Sequence, residues 1–476
     1  MDVMNFRVYF LAALAMIFQP AFATIINPFT WFTDPQRTMT DVSQTSVTTV
    51  AKILKPQTIK DLQAIVAIAT CPISIAGGRF SQGGQIAYPQ GIVVDITGLN
   101  KVISLDIASQ EITVESGITW AEIQKHIAPH NLSVAVMQSY NDFTVGGSLG
   151  VNVHGRDIHH GPLIETVKSF DILMANGFIK TASRTQNPDL FAGAIGGYGA
   201  LGIITKVTLS LTPNIKIQRS IKQMPLEEYP QYFLETIKKN PKAVLHNADL
   251  YPSDFKHLSS ITWCQTDASL TNTQPLQTSQ KFYPGQLLAE QALRRISPLH
   301  KLRPSMDAKT KQTEAVVWRN FEMSSSVKSL EPLVRFPTTS VLQEYFIPIN
   351  NLLPFVARAR ALTKAYGINI INISIRYIPK NDESMLSYAQ KESFSLVFYI
   401  NILNTEDGLD TAQVWTRKLI DAALAEGGTY YLPYQLFGTR AQVAKAYPRL
   451  DEFVALKNKY DPQHQFSNNF LNKYGI

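Results

Sequence analysis

The chain has 476 residues, which is enough for two or three domains with substantial cores. With 45% hydrophobic and 17% charged residues and no internal repeat or low-complexity tract, the composition is that of a globular protein and excludes a disordered or fibrous one. The net charge is +7, and part of it lies in a segment without interleaved aromatic residues, which argues against nucleic-acid binding: Arg294, Arg295, His300, Lys301, Arg303, Lys309 and Lys311.

The first residues predict an export signal. Arg7 precedes the apolar stretch Val8–Phe18, and Ala21-Phe22-Ala23 fits a cleavage site of the small-x-small type. We therefore expect a signal peptide over residues 1–23, an N-terminal lead over 24–45, and a periplasmic or secreted protein. An anchor formed by an uncleaved N-terminal segment is the alternative.

Two further features leave alternatives open. The basic segment around Arg294 is either a solvated loop or a site of peripheral contact with anionic lipid heads or an anionic substrate. Outside the cytoplasm a disulfide between Cys71 and Cys264 would be permitted, but nothing in the sequence shows that they meet.

Residues 46–213 carry the signals of a first domain that mixes helices and strands. Thr58-Ile59-Lys60-Asp61 and Thr119-Trp120-Ala121-Glu122 are capping boxes, and each predicts a helix after its threonine. Asn176-Gly177 lies between two apolar segments and predicts a hairpin with a type I′ turn. This pattern indicates an α+β fold rather than repeated βαβ units. Short strands are predicted over Ile92–Ile96, Val102–Asp106 and Glu111–Ser116.

Glycine-rich segments recur through this domain. The segment 76–84 follows an apolar stretch, Pro72–Ala76, that predicts a buried strand. Glycines after a strand expose consecutive backbone N–H groups, and the resulting concavity suits a pyrophosphate. The segments 145–148, 154–156 and 196–205 follow in order, and Tyr460-Asp461-Pro462 lies near the end of the chain.

The segment Gly197–Gly202 is a literal G-x-G-x-x-G, but its context excludes a nicotinamide site. A dinucleotide fingerprint needs a strand before it and a helix after it. Here the order is reversed, because Asn187–Phe191 opens a short helix and Ile203–Leu211 predicts a strand rich in β-branched residues.

The series of motifs resembles that of the flavoprotein family typified by vanillyl-alcohol oxidase. Within it the chain is most similar to the branch of alditol oxidase, the aldonolactone oxidoreductases and decaprenylphosphoryl-ribose oxidase. The resemblance implies a two-part FAD-binding domain over 46–213, a substrate domain over 214–430, and a C-terminal segment, 431–476, that returns to the FAD site. The cofactor-binding residues that it implies are Gly77, Gly78, Arg79, Phe80, Ser81, Gln82, Gly83, Gly84, Gly146, Gly147, Ser148, His154, Gly155, Gly202, Ile203, Ile204 and Asn468.

From Asn214 onward the glycine motifs stop and longer elements are predicted. They indicate a domain built on one antiparallel sheet with helices, which would face the substrate. The predicted helices are Leu352–Tyr366 and Asp410–Glu426, and the predicted strands are Val341–Ile347, Asn369–Tyr377 and Phe394–Asn401.

Arg376 is the first candidate for a catalytic role, since alternate residues of its predicted strand face one way. The aldonolactone and alditol branch has Glu-x-Arg here, with Ser374 in place of the glutamate in this chain, and the decaprenyl branch has a lysine. The resemblance therefore implies a cation at Arg376. Glu344 would bind substrate hydroxyls, or accept a proton if burial raises its pKa. His159 and His160 resemble the paired histidines of the decaprenyl branch, and we assign His160 to the catalytic site.

The resemblance implies an FAD-dependent oxidoreductase that oxidises an alcohol carbon of a sugar, alditol or sugar lactone by hydride transfer to the flavin N5. The alternatives are an oxidase of a lipid-linked sugar in an epimerisation pathway and a flavin-binding protein without turnover. Oxygen and another electron acceptor both remain open.

The sequence also predicts how FAD is held. Relatives with a covalent flavin carry a histidine in a Gly-His-Ser motif of the first loop, where this chain has Arg79-Phe80-Ser81. Others add a cysteine before the second loop, and the segment Ser139–Asp142 has none. FAD is therefore expected to be bound without a covalent bond, and no metal site is expected.

Overall fold

A computed structural model describes residues 37–252, 254–277, 314–327 and 337–476. The signal-peptide prediction and the basic segment around Arg294 lie outside the described residues. The described residues from Met39 to Ile476 form one compact unit. Within the described ranges, no helix is both long and apolar enough to cross a membrane.

The strands fall into a short two-stranded ribbon and three larger sheets. In chain order they are β1 Thr38–Thr40, β2 Val47–Thr49, β3 Lys52–Leu54, β4 Ile73–Ala76, β5 Ile92–Asp95, β6 Val102–Asp106, β7 Glu111–Glu115, β8 Leu132–Val134, β9 Val167–Leu173, β10 Ile179–Ser183, β11 Ile203–Pro213, β12 Lys216–Pro225, β13 Ala243–Leu250, β14 His257–Gln265, β15 Val316–Trp318, β16 Thr338–Pro348, β17 Asn369–Ile378, β18 Ser393–Leu403 and β19 Thr429–Tyr430.

The helices in chain order are α1 Ile59–Ile68, α2 Trp120–Ile127, α3 Val145–Gly150, α4 Pro188–Ala194, α5 Tyr229–Tyr232, α6 Arg319–Glu322, α7 Leu352–Tyr366, α8 Glu406–Ala425, α9 Arg440–Ala446, α10 Leu450–Tyr460 and α11 Asn469–Tyr474. The two longest of the described helices, α7 and α8, lie in the second half of the chain.

Both predicted capping boxes are present. The side chains of Thr58 and Thr119 accept from the backbone N–H groups of Asp61 and Glu122, whose carboxylates accept in return from the capping residues. These reciprocal bonds satisfy backbone donors that the first helical turn leaves free, so α1 and α2 begin where the sequence predicts.

A small parallel sheet, in the order β3-β5-β4, carries the first glycine segment at the end of β4. Helix α1 covers it through Leu62 and Val66, which are buried in a core of their own with Phe466 from the C-terminal tail. The tail also pairs with β4, because Ile73 N donates to Gln465 O at 2.7 Å and Ser467 N donates to Ile73 O at 3.0 Å. The C-terminal residues therefore lie against β4, the strand that precedes the first glycine segment.

The second sheet has the order β10-β9-β11-β7-β6, with β8 also paired to β11. The predicted hairpin at Asn176-Gly177 joins β9 to β10. The predicted turn type is wrong, since a type I′ turn needs positive φ at both central residues and Gly177, at φ 81°, is the one that has it. Gly177 N donates to Met174 O at 2.9 Å, so the loop contains a longer turn that ends in left-handed glycine.

The largest sheet is antiparallel and has the order β15-β12-β14-β13-β17-β18-β16-β19. Helices α7 and α8 lie beside each other and contact β16. Its strands come from residues after Pro213, as the sequence predicts. The α+β prediction, with an antiparallel sheet after the FAD-binding region, is confirmed. Cys71 and Cys264 are both free thiols, so the permitted disulfide is not formed.

Candidate active site

A cavity is lined by the glycine segments and by the large sheet. It encloses about 1500 Å³, including space open to solvent. Part of its wall comes from residues 77–81, 143–153 and 198–204, and part from β16, β17 and β18. The predicted cofactor residues that line it are Gly77, Gly78, Arg79, Phe80, Ser81, Gly146, Gly147, Gly202 and Ile204.

The first glycine segment, which lines this cavity, carries unpaired backbone donors. The N–H groups of residues 78–81 donate no hydrogen bond to any residue that the structure describes. Arg79 has φ 63°, a left-handed conformation, and its guanidinium lies 3.2 Å from the carboxylate of Asp95. A run of unpaired N–H groups in a concave loop is a binding surface for a phosphate, so this segment fits the pyrophosphate of FAD.

Glycine is required where the loops approach each other. A Cβ atom on Gly77 would lie 2.2 Å from Oγ1 of Thr144, and one on Gly146 would lie 2.9 Å from Cβ of Ser116. A Cβ atom on Gly150 would meet no described atom within 4 Å, because this glycine borders open space in the cavity. The walls here are therefore backbone rather than side chain, as a bulky nucleotide cofactor needs, and the residues present fit FAD.

The large sheet contributes the charged part of the cavity. Strands β17, β18 and β16 are neighbours, and their register places Arg376 opposite Ser395, and Val397 between Ser374 and Glu344. Residues directly opposite in a sheet, and residues two apart along a strand, share a face. The register therefore brings Arg376 and Glu344 to one face, although 32 positions separate them in the sequence.

Glu344 is buried, with 2% of its side chain exposed. Its Oε1 lies 2.6 Å from Nε2 of His154 and also accepts from the hydroxyl of Ser395, while Oε2 accepts from the hydroxyl of Tyr434 at 3.2 Å. Burial alone would raise the pKa of Glu344, but the adjacent His154, the charge of Arg376 and the Ser395 hydroxyl outweigh it and lower that pKa. Burial therefore does not raise the pKa of Glu344 overall, and the carboxylate is ionised at neutral pH.

Arg376 carries an unsatisfied donor beside this carboxylate. Its Nε is buried and has no hydrogen-bond partner among the described residues. Leaving a buried donor unpaired is costly, so such a group in a cavity wall indicates a ligand that accepts from it. The guanidinium and Glu344 both line the cavity.

The segment after β19 closes the cavity with residues that the sequence analysis did not single out. Tyr431, Pro433 and Tyr434 line it. Tyr431 N donates to Glu344 O at 2.9 Å, and its hydroxyl donates to Val151 O at 2.7 Å, which ties the second glycine region to β16. The three tyrosines between positions 430 and 434 are the signal that could have indicated this wall.

Two family models match the chain. The model described as an FAD binding domain covers residues 50–183, and the model described as D-arabinono-1,4-lactone oxidase covers residues 207–474, which is more than half of the chain. The chain belongs to the D-arabinono-1,4-lactone oxidase family. The predicted resemblance to flavoproteins of the vanillyl-alcohol oxidase type is confirmed, and FAD is the cofactor that both the family and the cavity indicate.

The matches to two curated relatives extend over most of this family member. L-gulonolactone oxidase from Mus musculus is 23% identical over 434 residues, 88% of this chain and 94% of its own length. Alditol oxidase from a Streptomyces species is 23% identical over 441 residues, 89% and 95% of the two chains. Decaprenylphosphoryl-beta-D-ribose oxidase from Mycolicibacterium smegmatis is 34% identical, but over 135 residues, 28% of this chain and 29% of its own.

In this member of the lactone oxidase family, His160 lies outside the cavity lining. Its Nδ1 is 3.2 Å from Oδ1 of Asp157, and Oδ2 of the same carboxylate pairs with the buried Arg319 at 2.9 Å. His159 is likewise turned away, with Nε2 bonded to Ala243 O at 2.7 Å. The structure therefore does not place the predicted histidine pair in the cavity lining, and it gives no support to a catalytic role for His160.

Other predicted cofactor residues lie behind the residues that line the cavity. Gln82 Oε1 accepts from Leu342 N at 2.8 Å, Ser148 Oγ accepts from Trp120 Nε1 at 3.0 Å, and Asn468 caps α11. The cofactor-binding roles of the residues that line the cavity stay predictions. The side chains of Gln82, Ser148 and Asn468 instead stabilise the loops. The predicted residues that do not line the cavity are Gln82, Gly83, Gly84, Ser148, His154, Gly155, Ile203 and Asn468.

Proposed function

We propose that this protein is an FAD-dependent oxidoreductase that oxidises an alcohol carbon of a sugar, alditol or sugar lactone. The observation that carries the proposal is the continuity of one cavity from the unpaired N–H groups of the first glycine segment to Arg376 and Glu344. The names of the full-length relatives, L-gulonolactone oxidase and alditol oxidase, support this substrate class.

Each part of the cavity has a distinct task in this reaction. When bound, FAD supplies the hydride acceptor. The glycine segments hold its nucleotide portion through backbone donors and leave Arg376 and Glu344 for the substrate. Arg376 donates to an oxygen of the substrate, and the ionised Glu344 is a base on the same face. The histidines that favoured a lipid-linked sugar lie outside the cavity lining, so the small-sugar function is the better supported one.

The function is tested with a panel of substrates. The purified yellow protein is mixed without oxygen with L-gulono-1,4-lactone, xylitol, sorbitol and D-arabinose, and flavin absorbance is followed. At least one compound should bleach the flavin, because the site combines a cation and a base beside a hydride acceptor. Readmitting air then shows whether oxygen is the acceptor. A flavin that no sugar, lactone or alditol reduces would contradict the proposal and favour a binding protein without turnover.

FAD should be released completely when the protein is denatured. Phe80 stands where covalent relatives carry the histidine, and it packs against Phe143 with ring centroids 4.4 Å apart. Within the described part of the chain, the cavity lining includes no histidine or cysteine that could bond to the flavin methyl group. Acid precipitation should leave all yellow colour in the supernatant. Flavin fluorescence that stays with the protein band on a denaturing gel would show that a covalent bond exists.

A further inference from the structure

Tyr434 occupies a position in the cavity that neither the motifs nor the proposed roles of Arg376 and Glu344 explain. It lines the cavity, and its hydroxyl donates to Oε2 of Glu344 at 3.2 Å. We propose that Tyr434 is a catalytic residue that takes the hydroxyl proton of the substrate and passes its own proton to Glu344. This inference rests on the proposed function and names the route by which the proton leaves.

The direction of the Tyr434 hydrogen bond supports this role. An ionised carboxylate can accept hydrogen bonds but cannot donate them, so the phenolic hydrogen points to Glu344. The phenol oxygen can then only accept a further hydrogen bond, so a neighbouring ligand must donate one to it. An alcohol in the cavity does so with its hydroxyl group, which is the group that loses a proton when the alcohol is oxidised.

Glu344 is suited to be the end of this route. His154 and Ser395 both donate to its Oε1, while Tyr434 is the residue bonded to Oε2. These donors and the charge of Arg376 keep the pKa of Glu344 low, so it is present as the carboxylate when the substrate binds. A relay through Tyr434 does not require a free phenolate, which is important because burial and the charge of Glu344 raise the pKa of Tyr434.

The chemistry of the step is balanced. The reacting carbon loses a hydride, with its two electrons, to the flavin of the proposed cofactor. The substrate O–H bond breaks as a new O–H bond forms on Tyr434, and the Tyr434 proton moves to Oε2 of Glu344. A carbonyl group is left on the substrate. As the hydride departs, the substrate hydroxyl becomes that of a protonated carbonyl, which is acidic enough for a carboxylate to receive its proton.

Other hydroxyl groups near the carboxylate are not placed for this task. The hydroxyl of Tyr431 donates to Val151 O at 2.7 Å and therefore pins a loop. Ser395 donates to Oε1 of Glu344 but is not part of the cavity lining. Of the described residues that line the cavity, Tyr434 is the one that combines access to a ligand with a hydrogen bond to Glu344.

The test is the variant Tyr434→Phe, which removes the hydroxyl and keeps the ring. With the panel compound that reduces the wild-type flavin fastest, we expect the first-order reduction constant to fall about a hundredfold, the lower range for loss of a general acid–base group. The substrate dissociation constant, obtained from the concentration dependence, should change little. The reduction constant of the variant should also rise with pH, because hydroxide must replace the relay, while the wild-type constant stays flat near neutral pH.

Tyr474→Phe is the matched control, since it removes a tyrosine hydroxyl from the same C-terminal segment. That hydroxyl donates to Gly438 O at 3.1 Å, and Tyr474 does not line the cavity. Both variants should keep the wild-type FAD content. Tyr434→His should recover part of the rate, and its reduction constant should increase as the imidazole loses its proton, around pH 6.5.

The outcomes separate this inference from the proposed function. If no panel compound reduces the wild-type flavin, the proposed function fails and the relay fails with it. If the wild type is reduced and Tyr434→Phe is reduced equally fast with a flat pH profile, the substrate donates directly to Glu344 and the relay alone is wrong. If Tyr434→Phe loses its flavin, Tyr434→His is measured in its place, and a flavin-loaded Tyr434→His protein whose reduction constant shows no rise around pH 6.5 overturns the relay instead.

Discussion

Arg376→Ala is expected to slow anaerobic flavin reduction about a hundredfold to a thousandfold. The side chain is a preorganised cation that lines the cavity, and its buried Nε has no partner among the described residues. Loss of one such donor costs roughly 3–4 kcal/mol of transition-state stabilisation, by analogy with oxyanion donors. The charge also lowers the pKa of Glu344, so its removal weakens the ionisation of the carboxylate as well.

The flavin content of Arg376→Ala should stay close to that of the wild type, because the unpaired donors of the first glycine segment lie in another part of the wall. Arg376→Lys should recover part of the rate, since the charge returns without the planar fork of donors. Arg358→Ala is a suitable control, because its guanidinium pairs with Glu426 and 58% of its side chain is exposed. Wild-type rates and substrate affinity in Arg376→Ala would exclude this arginine from the site.

The elements of the fold were predictable where local chemistry determines them. Reciprocal capping set the start of α1 and α2, and the alternation of Asn372, Ser374 and Arg376 with buried residues identified β17 and the face of Arg376. The predicted helix Leu352–Tyr366 matches α7. At the hairpin, the sequence identified the position, but Asn176-Gly177 is compatible with more than one turn, and its type depends on how β9 and β10 align.

The charged cluster was only partly predictable because it depends on contacts between distant residues. His154 lies 190 positions before Glu344, and Tyr434 lies 90 positions after it. A sequence shows that Glu344 belongs to a strand, but not that donors surround it and reverse the effect of burial on its pKa. For the same reason, the sequence does not distinguish the surroundings of His160 from those of His154. In the structure His160 contacts Asp157, whereas His154 contacts Glu344.

The C-terminal motif was recognisable, but its physical role was not. Asp461, in Tyr460-Asp461-Pro462, forms an ion pair with Lys457 in which neither side chain is exposed to solvent. Lys457 Nζ also donates to Ala200 O at 2.8 Å and to Phe466 O at 2.7 Å, and Ala200 lines the cavity. The pair therefore fastens the end of α10 to the glycine segment before β11.

Lys457→Met is expected to cost about 3–5 kcal/mol of unfolding free energy, the range for a buried ion pair that loses one partner. Methionine replaces the apolar stem of the lysine but leaves the Asp461 carboxylate buried without its counter-charge, and it removes the donors to Ala200 O and Phe466 O. We expect a lower urea midpoint and, because Ala200 borders the cavity, a weaker hold on FAD. Unfolding is followed by circular dichroism and by flavin fluorescence on the FAD-loaded protein.

Lys459→Met is the matched control on the same helix. Lys459 pairs with Asp189 at 2.6 Å, but 60% of its side chain is exposed, so water screens that pair and the substitution should change stability little. The double variant Lys457→Met/Asp461→Leu removes both buried charges and should be more stable than Lys457→Met alone, although the N–H groups of Gln465 and Phe466 lose their acceptor. If Lys457→Met were as stable as Lys459→Met, the ion pair would not hold the C-terminal segment in place. A double variant less stable than Lys457→Met would instead show that Asp461 acts mainly by accepting those two backbone bonds.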